Sequence, residues 1–234
     1  MKCPLCNSGK AGPFCTIARD SYLHSKVNYC RCLNCELLFV HPQNLPKLKE
    51  LYKQAYRKKI SLLRKFFWKL PFSAHHRQTL LFLANVLKQP GKALDVGSSE
   101  GKLLYLLKLR GWAVKGIEPT RHYAEFAKKH MGFDVFEGFV DDFKTKEKFD
   151  LIILCNVLEH LPNPEKSLRN LARNLNQNGH FYIALPAIRR SAFSSTHLFL
   201  FNRHSLGRLM QKLGLEPARY SANGKYQRLL ARRV

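Results

Sequence analysis

From residue 75 to the end, apolar runs alternate with amphipathic stretches. Ala93-Leu94-Asp95-Val96 is apolar and ends in a turn of small residues, Gly97-Ser98-Ser99-Glu100-Gly101, after which 102–109 continues without Gly or Pro. That succession predicts a strand, a tight turn and a helix. Apolar runs at 112–118, 133–137, 149–155 and 180–186 predict further strands, while 74–88, 121–131, 163–176 and 205–213 read as helices. Two runs at 216–221 and 225–233 complete the pattern. The run 149–155 is the most apolar, as a strand buried on both faces should be. Such alternation predicts an α/β fold with a doubly wound sheet.

Residues 1–45 follow a different pattern. Cys3-x-x-Cys6 and Cys32-x-x-Cys35 are two knuckles separated by 25 residues, with strand-like runs at 22–31 and 37–40. Four thiolates in two such pairs can close a tetrahedral Zn2+ site, because each knuckle aims backbone N–H groups at sulfur. Cys15 and Cys30 compete for the role, and His24 or His41 could replace a thiolate. Four protein ligands leave no open position, so this zinc would be structural.

Residues 46–74 form a basic linker ahead of the domain at 75–234. As a helix, its segment 57–70 places Ile60, Leu63, Phe67 and Leu70 on one face and Arg57, Lys58, Arg64 and Lys65 largely to the other sides. Basic residues with Trp68 suit a helix lying on an anionic membrane; packing over the pocket of the following domain is the plainer alternative.

Small residues after Val96 let a ligand approach the backbone, and the next helix offers unpaired N–H groups. A dinucleotide fingerprint needs G-x-G-x-x-G, which this turn does not supply. Asp95 before the first glycine and Glu118 closing the next strand suit a nucleoside, since a strand-end carboxylate can accept from both ribose hydroxyls.

These residues resemble the class I S-adenosylmethionine (SAM)-dependent methyltransferases, with Ser99 in place of the middle glycine of the first motif. Asn156-Val157-Leu158-Glu159-His160-Leu161-Pro162 resembles the family's fourth motif, and Arg31-Cys32-x-x-Cys35-x-Leu37-x-Phe39-x-x-Pro42 ahead of Leu51-Tyr52 resembles the zinc-ribbon segment of some bacterial members. The resemblance implies a Rossmann-like seven-stranded sheet in the order 3-2-1-4-5-7-6, its last hairpin antiparallel. It implies SAM held at Asp95, Gly97, Ser98, Ser99 and Gly101, with Glu118 and Pro119 at the ribose. Val140 and Asp141 would meet the adenine, Asp142 being an equal contender, and Cys155 and Asn156 the sulfonium side. Glu159 and His160 stand as the catalytic pair, orienting or deprotonating an acceptor hydroxyl. Some relatives carry Glu-x-x-Glu-His and hold a divalent metal; Asn156 takes the first Glu position here, so a hard cation would be held weakly.

Charge adds a question of partners. The formal total is +24, with ten Lys or Arg and no acid at 51–94, thirteen against Glu216 alone at 166–234, and near balance between. Basic flanks attract polyanions or anionic headgroups. Three functions compete. Methyl transfer to a saccharide or lipid-linked small metabolite suits the loop 187–202 with Arg189 and Arg190. RNA methylation suits the flanks and ribbon, although neither an Asn/Asp-Pro-Pro-aromatic motif nor a Pro-Cys nucleophile occurs. A non-catalytic binding module could keep the same fold. No apolar run reaches the roughly 18 residues of a membrane span, and residues 1–6 lack a signal-peptide core. A cytoplasmic protein with reduced thiols is expected, with the inner face of the membrane as a peripheral location.

Overall fold

The computed structural model describes residues 1–20, 24, 26–46 and 74–233. The amphipathic segment 57–70, Leu51 and Tyr52 lie outside these residues. In chain order the elements are β1 (Ala11–Ile17), β2 (Val27–Cys32), β3 (Leu38–Val40), α1 (Ala74–Phe82), β4 (Lys92–Val96), α2 (Lys102–Lys108), β5 (Ala113–Glu118), α3 (Arg121–Met131), β6 (Asp134–Glu137) and β7 (Phe149–Cys155). They continue with α4 (Pro164–Ala172), β8 (Leu175–Pro186), β9 (Phe199–Leu200), α5 (Arg203–Lys212), β10 (Leu215–Ala222) and β11 (Tyr226–Arg233).

Seven strands form one Rossmann-like sheet in the order β10-β11-β8-β7-β4-β5-β6. Read from the β6 edge, this is the expected 3-2-1-4-5-7-6. Strands β6, β5, β4, β7 and β8 run parallel, and β11 joins β8 and β10 antiparallel.

The apolar character of β7 follows from having both faces covered. Ile152 and Leu154 pack with Leu168 and Leu171 of α4 and Leu206 and Leu209 of α5. Leu151 and Ile153 face Phe82, Leu103 and Leu107 on the opposite side. Each such buried side chain contributes about 1.5–3 kcal/mol.

Local chemistry sets the helix ends. Asn163 accepts from the Lys166 N–H ahead of α4, with Pro164 at the first helical position, and Asn202 and Ser205 form a capping box on α5. Two predicted helices are shorter than expected. The 163–176 helix stops at Ala172 because Leu175 already pairs with Phe149, and β8 resumes its register at His180 after an irregularity. The 74–88 helix breaks after Phe82, leaving one 3-10 turn at Val86–Lys88.

The N-terminal segment forms a second sheet, β1-β2-β3-β9, whose last strand comes from beyond β8. Strand β1 has no counterpart among the expected elements, and the 22–31 run contributes only Val27–Cys32. Leu38 pairs with Leu200 and Phe39 with Phe199. Cys32, Cys35, Leu37 and Phe39 share a single apolar core with Leu158, Phe199 and Leu206. The Tyr29 hydroxyl lies 2.7 Å from the carbonyl oxygens of Ser194 and His197 and accepts from the Ser194 N–H at 3.1 Å. Asp20 accepts from the Ser195 N–H and Oγ at 2.9 and 2.5 Å. Part of the 187–202 loop, where the acceptor was expected to be met, is therefore held by Tyr29 and Asp20 of the N-terminal segment.

Candidate functional site

The turn after β4 is held from the next strand, with the Gly97 and Ser98 N–H groups donating to the Ile117 carbonyl at 2.8 and 3.0 Å. Gly97 has φ +75°, and a Cβ there would stand 2.6 Å from the Val157 Cγ2. Ser99 also has positive φ, +52°, the region that a family glycine would adopt without strain. Its N–H donates to Glu118 Oε2 at 2.8 Å, while the Thr120 N–H donates to Glu118 Oε1 at 2.8 Å. Glu118 thus fastens the two strand-end loops together with both of its oxygens.

Asp95 and Glu118 are 4% and 5% exposed. Burial, with Glu118 nearby, pushes the Asp95 carboxyl up to about 8, and burial raises Glu118 as well. Two acids kept from water are costly unless a cation joins them. Alongside lies a cavity of about 370 Å³, lined by Asp95, Gly97, Ser98, Ser99, Cys155 and Asn156 together with His75, His76 and Thr79 of α1. Its size falls within the roughly 300–1,000 Å³ of small-molecule pockets. Ser98 Oγ and Asn156 Oδ1 are buried without a hydrogen-bond partner among the described residues. Acids, orphaned polar atoms and a glycine turn fit a cationic nucleoside such as SAM. The α1 residues escaped the sequence reading, because nothing in the local pattern ties a helix ahead of β4 to the turn after it.

The remaining expected contacts, Glu118 among them, do not line this cavity. Gly101 has φ +84° and stands at the start of α2, where a Cβ would meet the Phe133 ring at 2.9 Å. Pro119 is half-buried behind Glu118. Val140 is buried in the main core, and the exposed Asp141 accepts from Ser167 Oγ of α4 at 2.6 Å. Asp142 is exposed beside it.

Glu159 and His160 occupy a single 3-10 turn, Leu158–His160, on the ribbon side. Glu159 is 1% exposed and neither carboxylate oxygen has a hydrogen-bond partner among the described residues; burial pushes it up to about 8. His160 Nδ1 donates to the Thr196 carbonyl at 2.8 Å. Burial, then the neighbouring His197, lowers the imidazole to about 4.

In the ribbon, Cys3, Cys6, Cys32 and Cys35 converge, their sulfurs all within 4.8 Å of one another. The Cys3–Cys35 and Cys6–Cys32 separations are 3.5 and 3.6 Å, against about 3.8 Å between sulfurs of a tetrahedral site with 2.3 Å bonds. The competitors Cys15, Cys30, His24 and His41 are not in the cluster. The Cys35 thiol holds Cys3 down at about 5, and the same contact pushes Cys35 up. Among the described residues no helix is long and apolar enough to cross a membrane.

Comparison with known proteins bears on this arrangement. An uncharacterized methyltransferase of Staphylococcus carnosus is 24% identical over 137 residues, 58% of this chain and 66% of its own. A ubiquinone biosynthesis O-methyltransferase of Actinobacillus pleuropneumoniae is 30% identical over 104 residues, 40% of this chain and 44% of its own. The matches thus span about half to two thirds of these relatives' lengths. Among solved structures, the 1,6-didemethyltoxoflavin-N1-methyltransferase of Burkholderia thailandensis, bound to its namesake and S-adenosylhomocysteine, superposes with a TM-score of 0.63. It is 15% identical, with 86% of this chain and 97% of that one covered. The N-methyltransferase NodS of Bradyrhizobium japonicum, in complex with S-adenosylhomocysteine, gives 0.60 at 16% identity over 80% and 98%. At these identities the likeness is one of fold. The sequence profile of the methyltransferase domain matches residues 73–219, well over half of the chain, and the protein belongs to that family.

Proposed function

We propose that the domain binds SAM in the cavity beside the β4 turn and directs methyl transfer to a small-molecule acceptor. The observation that carries this reading is the buried Asp95 lining a cavity of about 370 Å³ beside a glycine turn that the buried Glu118 fastens. Kinship with a ubiquinone biosynthesis O-methyltransferase and folds shared with a toxoflavin-precursor methyltransferase and NodS support it. We favour a saccharide or lipid-linked metabolite as the acceptor. The cysteine cluster is read as a structural Zn2+ site that ties the ribbon to the domain.

When bound, SAM supplies an electrophilic methyl group on a cationic sulfonium. Asp95 and the N–H groups of the turn hold the amino-acid and ribose portions, and Glu118, already bound to Ser99 and Thr120, fixes the loops that meet the ribose. Val140 and Asp141 belong to the adenine side. Cys155 and Asn156 border the sulfonium, where burial keeps the Cys155 thiol protonated. In-line displacement gains much of its rate from holding the reactants in line. His160, with its lowered basicity, and Glu159 serve to orient an acceptor hydroxyl more than to remove its proton.

Native mass spectrometry of protein purified without added cofactor, before and after incubation with SAM, tests this reading. One SAM or S-adenosylhomocysteine per chain is expected. A chain that takes up neither is a binding module of another kind.

A further inference from the structure

Helix α5 carries a glycine at its centre that nothing in the fold asks for. Gly207 lies one turn from Arg203 on one side and from Gln211 on the other, and glycine is the poorest helix former after proline. A Cβ built there would meet no described atom within 4 Å, so neither packing nor backbone conformation excludes a larger residue. What the missing side chain leaves is a groove of about 600 Å³ between α5, β10 and the second knuckle of the ribbon, within the range of small-molecule sites. Its walls are Arg203, His204 and Arg208 of α5, Tyr220 of β10 and Glu36 of the ribbon. The Arg203 guanidinium rests over the Tyr220 ring, 5.4 Å from its centroid, and the Tyr220 hydroxyl donates to Gln227 Oε1 at 3.2 Å. Glu36, the acid among the lining residues, accepts from the Asn202 amide at 2.7 Å. At the end of α5, Lys212 shares Glu165 with Arg169 of α4. Arg203 and Arg208, by contrast, have no acid partner among the described residues.

We propose that this groove binds the phosphate end of a small phosphorylated metabolite. Two guanidiniums without acids match the roughly two negative charges of a phosphate monoester, and arginine presents its N–H groups in the fork that phosphate oxygens accept. Arg203 is already held by its ring, so it loses little freedom on binding. The other walls suit the rest of a polar ligand. Glu36 and Gln211 offer acceptors to hydroxyl groups, and the space over Gly207 admits a group that a side chain would displace. A small phosphate is favoured over a polynucleotide because the arginines line a cleft that also holds an acid, whereas a nucleic acid is met by an open basic stripe. The groove shares no lining residue with the cofactor cavity, so its occupancy does not rest on the methyl-transfer reading.

Inorganic pyrophosphate serves as the probe, titrated by calorimetry into the full chain, with S-adenosylhomocysteine affinity measured in parallel. One site per chain is expected. Gly207→Leu should melt roughly 2–4 °C higher, because leucine favours the helix. It should nevertheless bind pyrophosphate about tenfold more weakly or worse, a combination that a merely structural glycine does not give. Arg208→Ala should weaken pyrophosphate about tenfold through the loss of a charged hydrogen bond, with S-adenosylhomocysteine affinity unchanged in both variants. Pyrophosphate affinity that survives in Gly207→Leu, or is absent from the wild type, overturns the proposal. So does binding of oligouridylate or of phosphatidylglycerol vesicles that weakens in Arg208→Ala but not in Gly207→Leu, the mark of an open basic surface. Intact S-adenosylhomocysteine binding in any of these cases leaves the cofactor reading standing.

Discussion

The cofactor side and the ribbon side of the molecule are built on different length scales. At the β4 turn the decisive contact, Ser99 to Glu118, spans 19 residues and lies inside one strand-helix-strand unit. On the ribbon side, Tyr29 reaches Ser194 and Asp20 reaches Ser195 across 165 and 175 residues. The first is a turn that a local unit can shape by itself, although the tip of β7 and α1 complete the cavity beside it. The second exists only after the whole chain has closed, since β9 leaves the methyltransferase domain to complete the ribbon sheet. Cofactor binding and ribbon integrity should accordingly separate under mutation.

The sharpest separation is expected from Gly97→Val. A side chain at φ +75° and 2.6 Å from Val157 distorts the turn, and S-adenosylhomocysteine affinity measured by calorimetry should fall by about 100-fold or more, in line with the roughly 2–3 kcal/mol that strain of this kind costs. Metal content should not change. The converse is Cys32→Ser, which leaves three thiolates. It should release zinc and cost about 3–5 kcal/mol, a fall in melting temperature of roughly 6–20 °C, while changing cofactor affinity little. Equal losses of cofactor affinity in both variants would merge the two regions into one functional unit.

This difference of scale also governed what could be read from the chain. The strand-helix alternation was legible because β7 is apolar on both faces and the glycine turn follows β4 directly, whereas the order of the strands came from the family resemblance that the two motifs carry. Asp95, Gly97, Ser98, Ser99, Cys155 and Asn156 came together around one cavity because each sits at or just beyond the tip of β4 or β7. Strand β9, with two residues, carries no periodicity of its own, and the link from His197 to His160 has no local signature. Nor did any pattern reveal that Glu118 spends both oxygens on backbone N–H groups, or that His75 and His76 fold back to the turn.

A finer test uses the charge of the pocket. The folded-state pKa of Asp95 near 8 lies above the roughly 3.9 of an unfolded chain. The folded protein without cofactor therefore holds more protons, and this group's contribution to stability declines as pH rises from about 4 to about 8. Asp95→Asn should flatten that decline and raise the melting temperature at pH 8, while weakening S-adenosylhomocysteine about tenfold. A variant less stable than wild type at pH 8 would remove the claim that this acid is held at a cost for a cationic ligand.

The smallest effect serves as a control remote from both regions. Glu147 bridges Lys92 and Lys115 at the far end of the sheet from the turn, and hydrogen bonds from Lys115 and then Lys92 hold it down at about 2. Its contribution is present above the ordinary carboxylate range, about 4.3, and is lost as pH falls toward 2. Glu147→Gln should cost about 1 kcal/mol at neutral pH after solvent screening, seen in urea unfolding, and leave cofactor and metal binding alone.

The central claim is that two strand-end loops, joined by Glu118, hold a SAM-type ligand, and titration calorimetry of S-adenosylhomocysteine into wild type and Glu118→Ala tests it most directly. The account predicts one site per wild-type chain and an affinity lower by about 10- to 100-fold in the variant, with the ribbon zinc retained. Undiminished affinity in a folded Glu118→Ala protein, or no heat from the wild type, would contradict it.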